Sequence, residues 1–115
     1  MKKKFHLCDN DDFRRLIEAR QYCINAVFSV YYQKNDLGYS RFGISVGKKH
    51  GKAFQRNKIK RQIRMMIAQV FNYQKNYDFL ILIRPRYKEQ SFQENIKKLA
   101  ELNIKINKQI NKDEV

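Results

Sequence analysis

Acidic residues are scarce in this chain, and between Arg41 and Arg64 there are none. The 115 residues include 25 Lys and Arg against 11 Asp and Glu, which gives a formal net charge of +14. Ordinary protein surfaces mix both signs of charge, whereas a surface of one sign attracts polyanions. The shortage of acid therefore indicates a nucleic-acid partner, with an anionic membrane surface as the weaker alternative.

Cysteine and histidine are also scarce. Cys8 and Cys23 are too few for a disulfide framework, and together with His6 and His50 they lack the spacing of a zinc finger. We expect both thiols to be reduced and partly buried, because free cysteines usually are. We expect no metal site built from protein ligands.

Long apolar runs are missing as well. No stretch approaches the ~18 apolar residues that would span a bilayer. Lys2, Lys3 and Lys4 imitate the start of a signal peptide, but acidic and amide residues occupy positions 9–12, where an apolar stretch would have to follow. We therefore expect a cytoplasmic protein with no membrane partner.

No group of side chains suggests a catalytic site. Asp11 and Asp12 are neighbours on a predicted helix and point to different sides, so they cannot act as a pair. His6 and His50 have no carboxylate at a suitable spacing, and Ser45 lies in no nucleophile motif. We expect no catalytic residues in the protein itself.

The composition is sufficient for one folded domain. Hydrophobic residues make up 43% of the chain and include seven Tyr and eight Phe, more than a disordered basic tail would contain. The length fits a single modest core. We place this domain at residues 1–104 and expect the polar segment 105–115 to fray.

The first half of the chain predicts a helix followed by strands. Asp9 or Asn10 would cap a helix that begins there. Residues 22–33 and 40–46 are rich in β-branched and aromatic side chains, which favours strands. In the second of these segments one face is bulky, and the other leaves the backbone nearly bare at Gly43.

The second half predicts a helix, a strand and a helix. Residues 53–73 place apolar side chains in one arc of a helical wheel, and residues 77–83 are almost continuously apolar, as in a strand covered on both faces. Pro85 ends that strand, and Ser91 with Glu94 forms a capping box for the last helix. These elements predict an α+β sandwich with helices packed on one mixed sheet.

The long helix carries the strongest functional signal. Its cations lie in an arc beside the apolar arc, and Arg56, Lys60 and Arg64 repeat at i, i+4 and i+8. Like charges at this spacing lower helix stability by roughly 0.2–0.5 kcal/mol per pair. That cost makes sense where phosphates lie against the helix, because a guanidinium presents a planar fork to phosphate oxygens. The alternative is a solvated amphipathic face with no partner.

A basic loop precedes this helix. Lys48, Lys49 and Lys52 lie on a segment bounded by glycines, next to a helix N-terminus that favours anions, although the P-loop pattern is absent. A mobile surface loop is the alternative interpretation.

Phe13 and Tyr31 leave two interpretations open. They would line a groove in which unpaired bases stack, as in proteins that bind single-stranded RNA. Alternatively, Phe13 is a core residue and Tyr31 an exposed residue of the sheet.

Taken together, these segments resemble the protein subunit of bacterial ribonuclease P. The similarity lies in Arg41–Lys49, in Gly51–Ala53 and in the helix from Arg56 to Arg64. The signature helix of that family reads Arg-Asn-Arg-x-Lys-Arg-x-x-Arg, and this chain matches it with Lys58 in place of the second arginine. The resemblance covers nearly the whole chain, from about Leu7 to Leu102.

The resemblance implies a fold of three helices and a four-stranded mixed sheet in the order αβββαβα. It also implies a left-handed crossover through the long helix, although general rules favour the opposite hand.

The implied function is to bind the catalytic RNA of ribonuclease P together with precursor tRNA. The protein would then assist endonucleolytic removal of the 5′ leader, while the RNA and its Mg²⁺ ions perform the hydrolysis. No protein partner is required, and the resemblance leaves room for dimerisation of the holoenzyme.

The resemblance also assigns residues by position. The residues that would contact the catalytic RNA are Lys48, Lys49, Lys52, Arg56, Asn57, Lys58, Lys60, Arg61 and Arg64. The cleft for the single-stranded leader would contain Phe13, Ile17, Phe28 and Tyr31. Ile17 stands where the family often has an aromatic residue, and Lys58 keeps the charge but lacks the bidentate fork of arginine.

Two other classes of function fit a basic helix. One is a non-enzymatic RNA-binding protein of ribosomal or chaperone-like type. The other is a DNA-binding domain that uses the helix in a major groove. The exposed arc disfavours this second class, because Asn57 and Gln62 are its only amides and base reading needs polar side chains.

Overall fold

The computed structural model describes residues 2–113. Its elements, in chain order, are α1 (Asn10–Ala19), β1 (Tyr22–Ile24), β2 (Phe28–Lys34), β3 (Arg41–Ser45), α2 (Ala53–Val70), β4 (Tyr77–Ile83) and α3 (Phe92–Asp113). Short 3₁₀ turns occupy Lys3–Phe5, Lys48–His50 and Pro85–Glu89. The order αβββαβα and the α+β class are therefore confirmed.

The four strands form one mixed sheet in the order β1-β2-β4-β3. β2 pairs antiparallel with β1 and β4, and β3 pairs parallel with β4. β4 lies inside the sheet and is buried along most of its length, as its nearly continuous apolar sequence predicts. Helix α2 makes the crossover from β3 to β4, and the left-handed sense of that crossover stays a prediction.

The strand signal at residues 22–33 divides into two strands because of Asn25. Its Oδ1 accepts hydrogen bonds from the backbone N–H groups of Val27 and Phe28, each at 3.0 Å. An asparagine side chain that bonds the backbone ahead of it replaces the ladder with a turn. The result is a tight β1–β2 hairpin.

The main core lies between one face of the sheet and the helices α2 and α3. Phe28, Val30 and Tyr32 of β2 are buried there, because alternate residues of a strand point to the same face. Helix α1 packs on the opposite face, where Leu16 forms a smaller buried cluster with Leu7 and Leu80.

Helix α2 ends at Val70, three residues earlier than predicted. Phe71 leaves the helix in an extended conformation, and its ring lies 5.2 Å from that of Phe42. The ring of Tyr73 lies 5.4 Å from the same Phe42. The apolar signal that extended the prediction belongs to aromatic residues that pack against the sheet rather than to a helix.

The expected fraying from residue 105 is corrected by the structure. Helix α3 continues to Asp113, and Ile106 and Ile110 lie in the main core. These two isoleucines continue the apolar face of Leu99 and Leu102, while Lys and Asn occupy the other faces. The polar composition concealed an amphipathic helix, so the domain does not end at residue 104. Residues 114–115 of the predicted tail lie outside the described residues.

Within residues 2–113, no helix is both long enough and apolar enough to cross a membrane.

Candidate nucleic-acid interface

Helix α2 buries one side and presents cations beside it. Ile59, Ile63, Met66 and Ile67 are buried against the core, as predicted. Arg56, Lys60 and Arg64, which we call the cation row, are half-buried at the edge of this apolar side. The stems of these side chains are therefore fixed by packing while their charges reach the surface.

The guanidinium groups of the cation row have unused hydrogen-bonding capacity. Nε of Arg56 and Nε of Arg64 are buried and have no hydrogen-bond partner among residues 2–113. In the same part of the chain, no carboxylate forms an ion pair with the cation row. A buried donor without an acceptor is costly, so the protein leaves these two guanidinium groups incompletely hydrogen-bonded.

The other predicted RNA-binding residues lie around this row. Asn57, Lys58 and Arg61 are exposed on α2. Lys48 and Lys49 are exposed on the 3₁₀ turn before the helix, and Lys52 is exposed at its N-cap. All nine residues thus belong to α2 or to the segment that leads into it.

The segment before α2 is closed by hydrogen bonds around Gly51. The backbone N–H of Lys52 donates to Gln55 Oε1 at 2.8 Å. Gly51 has φ of +118°, and a Cβ at this position would lie 1.9 Å from the same Oε1. Glycine is therefore needed both for the backbone conformation and for the cap on α2.

His50 is the last residue of this 3₁₀ turn, and the sequence assigned it no role. It is buried, and its Nε2 lies 3.0 Å from the carbonyl oxygen of Ile83. Burial lowers the pKa of His50, so the ring is neutral at pH 7 and Nε2 donates to that carbonyl. The contact attaches the basic turn to the end of β4.

The predicted leader cleft corresponds to the sheet face opposite the main core. Tyr31 lies on this face, and Phe13 packs against the same small cluster from α1. Ile17 is on α1 as well and is exposed. Phe28 does not belong to the cleft, because it points to the other face and is fully buried in the main core. Phe28 and Tyr31 are three residues apart on a strand with period two, so they cannot share a face.

Tyr22, rather than Phe28, lies beside Tyr31 on this face. β1 pairs with β2 so that Tyr22 is opposite Tyr31, and their ring centroids are 5.2 Å apart. Tyr22 is 50% exposed and Ile17 is 43% exposed, so this face presents apolar surface to solvent. The position of Tyr22 could not be predicted without the register of the hairpin, and that register depends on the turn at Asn25.

Phe13 closes one side of the cleft by packing on Gly43. A Cβ at Gly43 would lie 2.5 Å from Cε1 of Phe13 and 3.0 Å from the carbonyl oxygen of Leu7. The bare backbone predicted at this strand position is therefore the floor on which the Phe13 ring rests. Phe13 is half-buried. It is therefore neither a fully buried core residue nor a fully exposed ring of the groove, which were the two interpretations of the sequence.

A second feature connects the cleft with the cation row. A cavity of about 260 Å³ is lined by Phe13 of α1 and by Lys60 and Arg64 of α2, with the N-terminal segment between them. That segment is held at the β3 edge, where the N–H of Leu7 donates to the carbonyl of Phe42 at 2.9 Å. Phe13 of the predicted cleft and two members of the cation row therefore line one cavity.

Comparisons with known proteins agree with this geometry. A family model described as Ribonuclease P matches residues 1–107. The ribonuclease P protein component of Mesoplasma florum is 45% identical over 107 residues, covering 91% of this chain and 97% of the relative. That of Phytoplasma australiense is 37% identical over 112 residues, covering 93% of this chain and 95% of the relative.

Solved structures show the same fold. The RNase P protein of Staphylococcus aureus superposes with a TM-score of 0.78 at 31% identity, covering 90% of this chain and 95% of that one. The RNase P protein from Thermotoga maritima gives a TM-score of 0.70 at 32% identity, covering 79% of this chain and 87% of that one.

Proposed function

The chain belongs to the ribonuclease P protein family, and we propose on that basis that it is the protein component of a ribonucleoprotein that removes the 5′ leader from precursor tRNA. The observation that carries this proposal is the cation row on α2. Its arginines are held by packing and lack acceptors within residues 2–113, which suits a surface that binds RNA phosphates.

The cation row and its exposed neighbours on α2 would bind the catalytic RNA. The guanidinium groups of Arg56 and Arg64 would donate to phosphates, and charge-assisted hydrogen bonds of this type are stronger than neutral ones. Lys48, Lys49 and Lys52 would extend the same contact toward the N-terminus of α2.

The sheet face around Tyr31 would bind the 5′ leader. Aromatic side chains bind single-stranded RNA by stacking on bases, which requires rings that are exposed and fixed in place. Tyr22 and Tyr31 support each other by direct contact, and Phe13 is fixed by Gly43. The connecting cavity would then guide the strand toward the cation row.

The chemistry would be performed by the RNA with Mg²⁺. The nine interface residues are eight cations and the amide Asn57; a protonated Lys or Arg has no lone pair to offer a metal ion, and one amide oxygen is too few ligands for a Mg²⁺ site. These residues therefore do not fit a protein-borne Mg²⁺ site. The role of the protein is then to position RNA. Because its substrate would be precursor tRNA, the protein would act in the cytoplasm.

Reconstitution tests this function. Precursor tRNA is incubated at low Mg²⁺ with the catalytic RNA alone, with the protein alone and with both. We expect the protein to increase cleavage by the RNA and to cleave nothing by itself. Unchanged turnover, together with equal affinity for ribosomal RNA, would instead identify a general RNA-binding protein.

A further inference from the structure

A second cavity, of about 490 Å³, lies on the other flank of α2. It opens between the start of α2, the turn Pro85–Glu89 and the start of α3. Among the residues of α2 that line it are Phe54, Lys58 and Gln62. Each of these precedes a member of the cation row by two positions, and two positions correspond to a rotation of about 200° around the helix axis. This cavity therefore lies on the flank of α2 that faces away from the cation row, and Lys58 is the one predicted RNA-binding residue that also lines it.

An exposed aromatic ring stands at this cavity. Phe54 is 68% exposed, the highest value among the exposed large hydrophobic residues. Phe92, at the start of α3, also lines the cavity and is half-buried. One ring is thus free for a flat ligand to stack on, and the second adds apolar wall.

Two acceptors in the cavity lining have no donor. Oδ1 of Asn95 and Oε1 of Gln90 are buried and form no hydrogen bond with any residue in the range 2–113. Asn95 is only 1% exposed, and its Nδ2 donates to the carbonyl of Tyr87 at 3.0 Å. That bond fixes the amide, so Oδ1 is left as an acceptor that needs a partner.

The hydroxyl of Tyr87 fixes another part of the lining. It donates to Gln62 Oε1 at 2.7 Å, and burial raises the pKa of Tyr87 to about 12. The hydroxyl therefore keeps its proton at neutral pH, and the Gln62 amide is held in one orientation. Part of the lining is therefore ordered before a ligand binds, while a small movement of the Asn95 and Gln90 side chains is needed to bring their buried oxygens to a ligand.

The charged residues of the lining have one sign. Lys58 and Lys88 line the cavity and are exposed, whereas no Asp or Glu does so. A ligand that combines a flat ring, hydrogen-bond donors and negative charge matches these three properties together. A nucleotide has all of them, and the volume is in the usual range for small-ligand sites, about 300–1,000 Å³.

We propose that this cavity receives one unpaired nucleotide of an RNA partner, with a base that carries an exocyclic amino group. The base would stack on Phe54 and donate to Asn95 Oδ1 and Gln90 Oε1, while its phosphates lie near Lys58 and Lys88. Adenine, cytosine and guanine have such an amino group, and uracil does not. The proposed function decides only which RNA supplies this base, and the remainder of the proposal does not rest on it.

The first test measures affinity for the catalytic RNA as a function of salt. Stacking of one base on an aromatic ring is worth ~1–3 kcal/mol, so Phe54→Ala should weaken binding about 5- to 150-fold. Because no phosphate contact is lost, the slope of log affinity against log salt should not change. Phe54→Tyr should restore affinity, and Ile104→Ala, at an exposed apolar position on α3, serves as the control. Wild-type affinity in Phe54→Ala would overturn the proposal.

The second test locates the base. A photocrosslinking amino acid at position 54 is irradiated in complexes with the catalytic RNA alone and with precursor tRNA added. We expect one crosslink to an unpaired adenosine, cytidine or guanosine, and the arm in which it appears identifies the source. A crosslink to uridine, crosslinks only to paired nucleotides, or none would contradict the proposal.

The third test does not depend on the holoenzyme. 5′-AMP, 5′-CMP and 5′-UMP are titrated into the protein alone and followed by the NMR signals of Phe54, Gln90 and Asn95. We expect chemical-shift changes with AMP and CMP and smaller changes with UMP. In the Gln90→Met variant, the changes with AMP and CMP should be smaller than in the wild type. Equal shifts with all three nucleotides, or none, would exclude the site even if the protein supports cleavage of precursor tRNA.

Discussion

Arg41 holds the buried carboxylate of Asp78 by two hydrogen bonds, from Nε to Oδ1 at 2.9 Å and from Nη2 to Oδ2 at 2.7 Å. Arg15 of α1 donates to the same Oδ2 at 2.9 Å, and Asn35 Nδ2 donates to Oδ1 at 2.9 Å. One carboxylate therefore joins β3, β4 and α1. Because α1 carries Phe13 and Ile17, Asp78 positions a wall of the proposed leader cleft without reaching it.

Asp78→Asn should destabilise the protein. The substitution leaves Arg15 and Arg41 without a charged acceptor, but both guanidinium groups are partly exposed and regain some hydration. We expect a loss of about 2–3 kcal/mol in the free energy of unfolding, below the ~3–5 kcal/mol typical of a fully buried pair. Urea unfolding measures this loss. Asp36→Asn, at an exposed position, is the matched control and should change stability little.

The same carboxylate predicts a dependence of stability on pH. Burial raises the pKa of Asp78, but hydrogen bonds from Arg41, Asn35 and Arg15 outweigh it and hold the pKa below its ordinary value of 3.8. The folded state thus binds a proton less readily than the unfolded state. The stabilisation is complete above about pH 4 and is lost as the pH falls through the folded-state value. Urea unfolding across this range should show a shallower acid slope for Asp78→Asn than for the wild type. Identical slopes would mean that Asp78 is not ionised.

Gly43→Ala tests the contact between the sheet and α1. The new methyl group would lie 2.5 Å from the ring of Phe13, so the ring or the helix must move. We expect a loss of roughly 1–3 kcal/mol, as is typical of overpacking. Phe13→Leu in the same protein should recover part of it. Gly47→Ala is the control, since nothing lies within 4 Å of a Cβ there and its φ is not in the left-handed region. Equal stabilities of the two alanine variants would contradict the contact.

Local signals in the sequence were sufficient for most of the fold. The capping box at α3 is formed as predicted, with Ser91 N donating to Glu94 Oε1 at 3.1 Å and Glu94 N donating to Ser91 Oγ at 3.2 Å. The burial of Ile63 and Met66 follows from helical periodicity alone. Features of this kind depend on residues that are close in the sequence.

The features that the sequence did not reveal depend on distant residues. Asp78 is the one charged residue of β4, and its partners Arg15 and Arg41 lie far from it along the chain. Tyr22 comes next to Tyr31 only through the register of the β1–β2 hairpin. The position of Phe28, by contrast, follows from the alternation of β2 itself, which places Phe28 and Tyr31 on opposite faces. The cavity beside Phe54 is formed by the start of α2, the start of α3 and the turn Pro85–Glu89, which are distant in the sequence. Periodicity within one element cannot predict such pairings.

Variants of three aromatic residues separate the cleft from the core. Tyr31→Ala and Tyr22→Ala should reduce the preference for precursor over mature tRNA by about 5- to 150-fold, as expected for the loss of one stacked base. Tyr22→Phe keeps the ring and should retain the preference. Phe28→Ala should instead lower the free energy of unfolding by about 3–5 kcal/mol, because its side chain is fully buried. Affinities for the two tRNA forms and urea unfolding give both readouts. Equal losses for precursor and mature tRNA would make Tyr31 structural.

Arg56→Ala and Arg64→Ala test the cation row. Each variant removes one guanidinium that would neutralise one phosphate, so affinity for the catalytic RNA should fall and the slope of log affinity against log salt should decrease in magnitude by about one. Lys108→Ala, at an exposed position on α3, removes the same charge from another surface and separates a local contact from a change in net charge. Since Arg56 and Arg64 are eight residues apart on one helix, the two slope changes should add in the double variant. Slopes equal to that of Lys108→Ala would remove the cation row from the interface, and the buried Nε atoms would then require another acceptor.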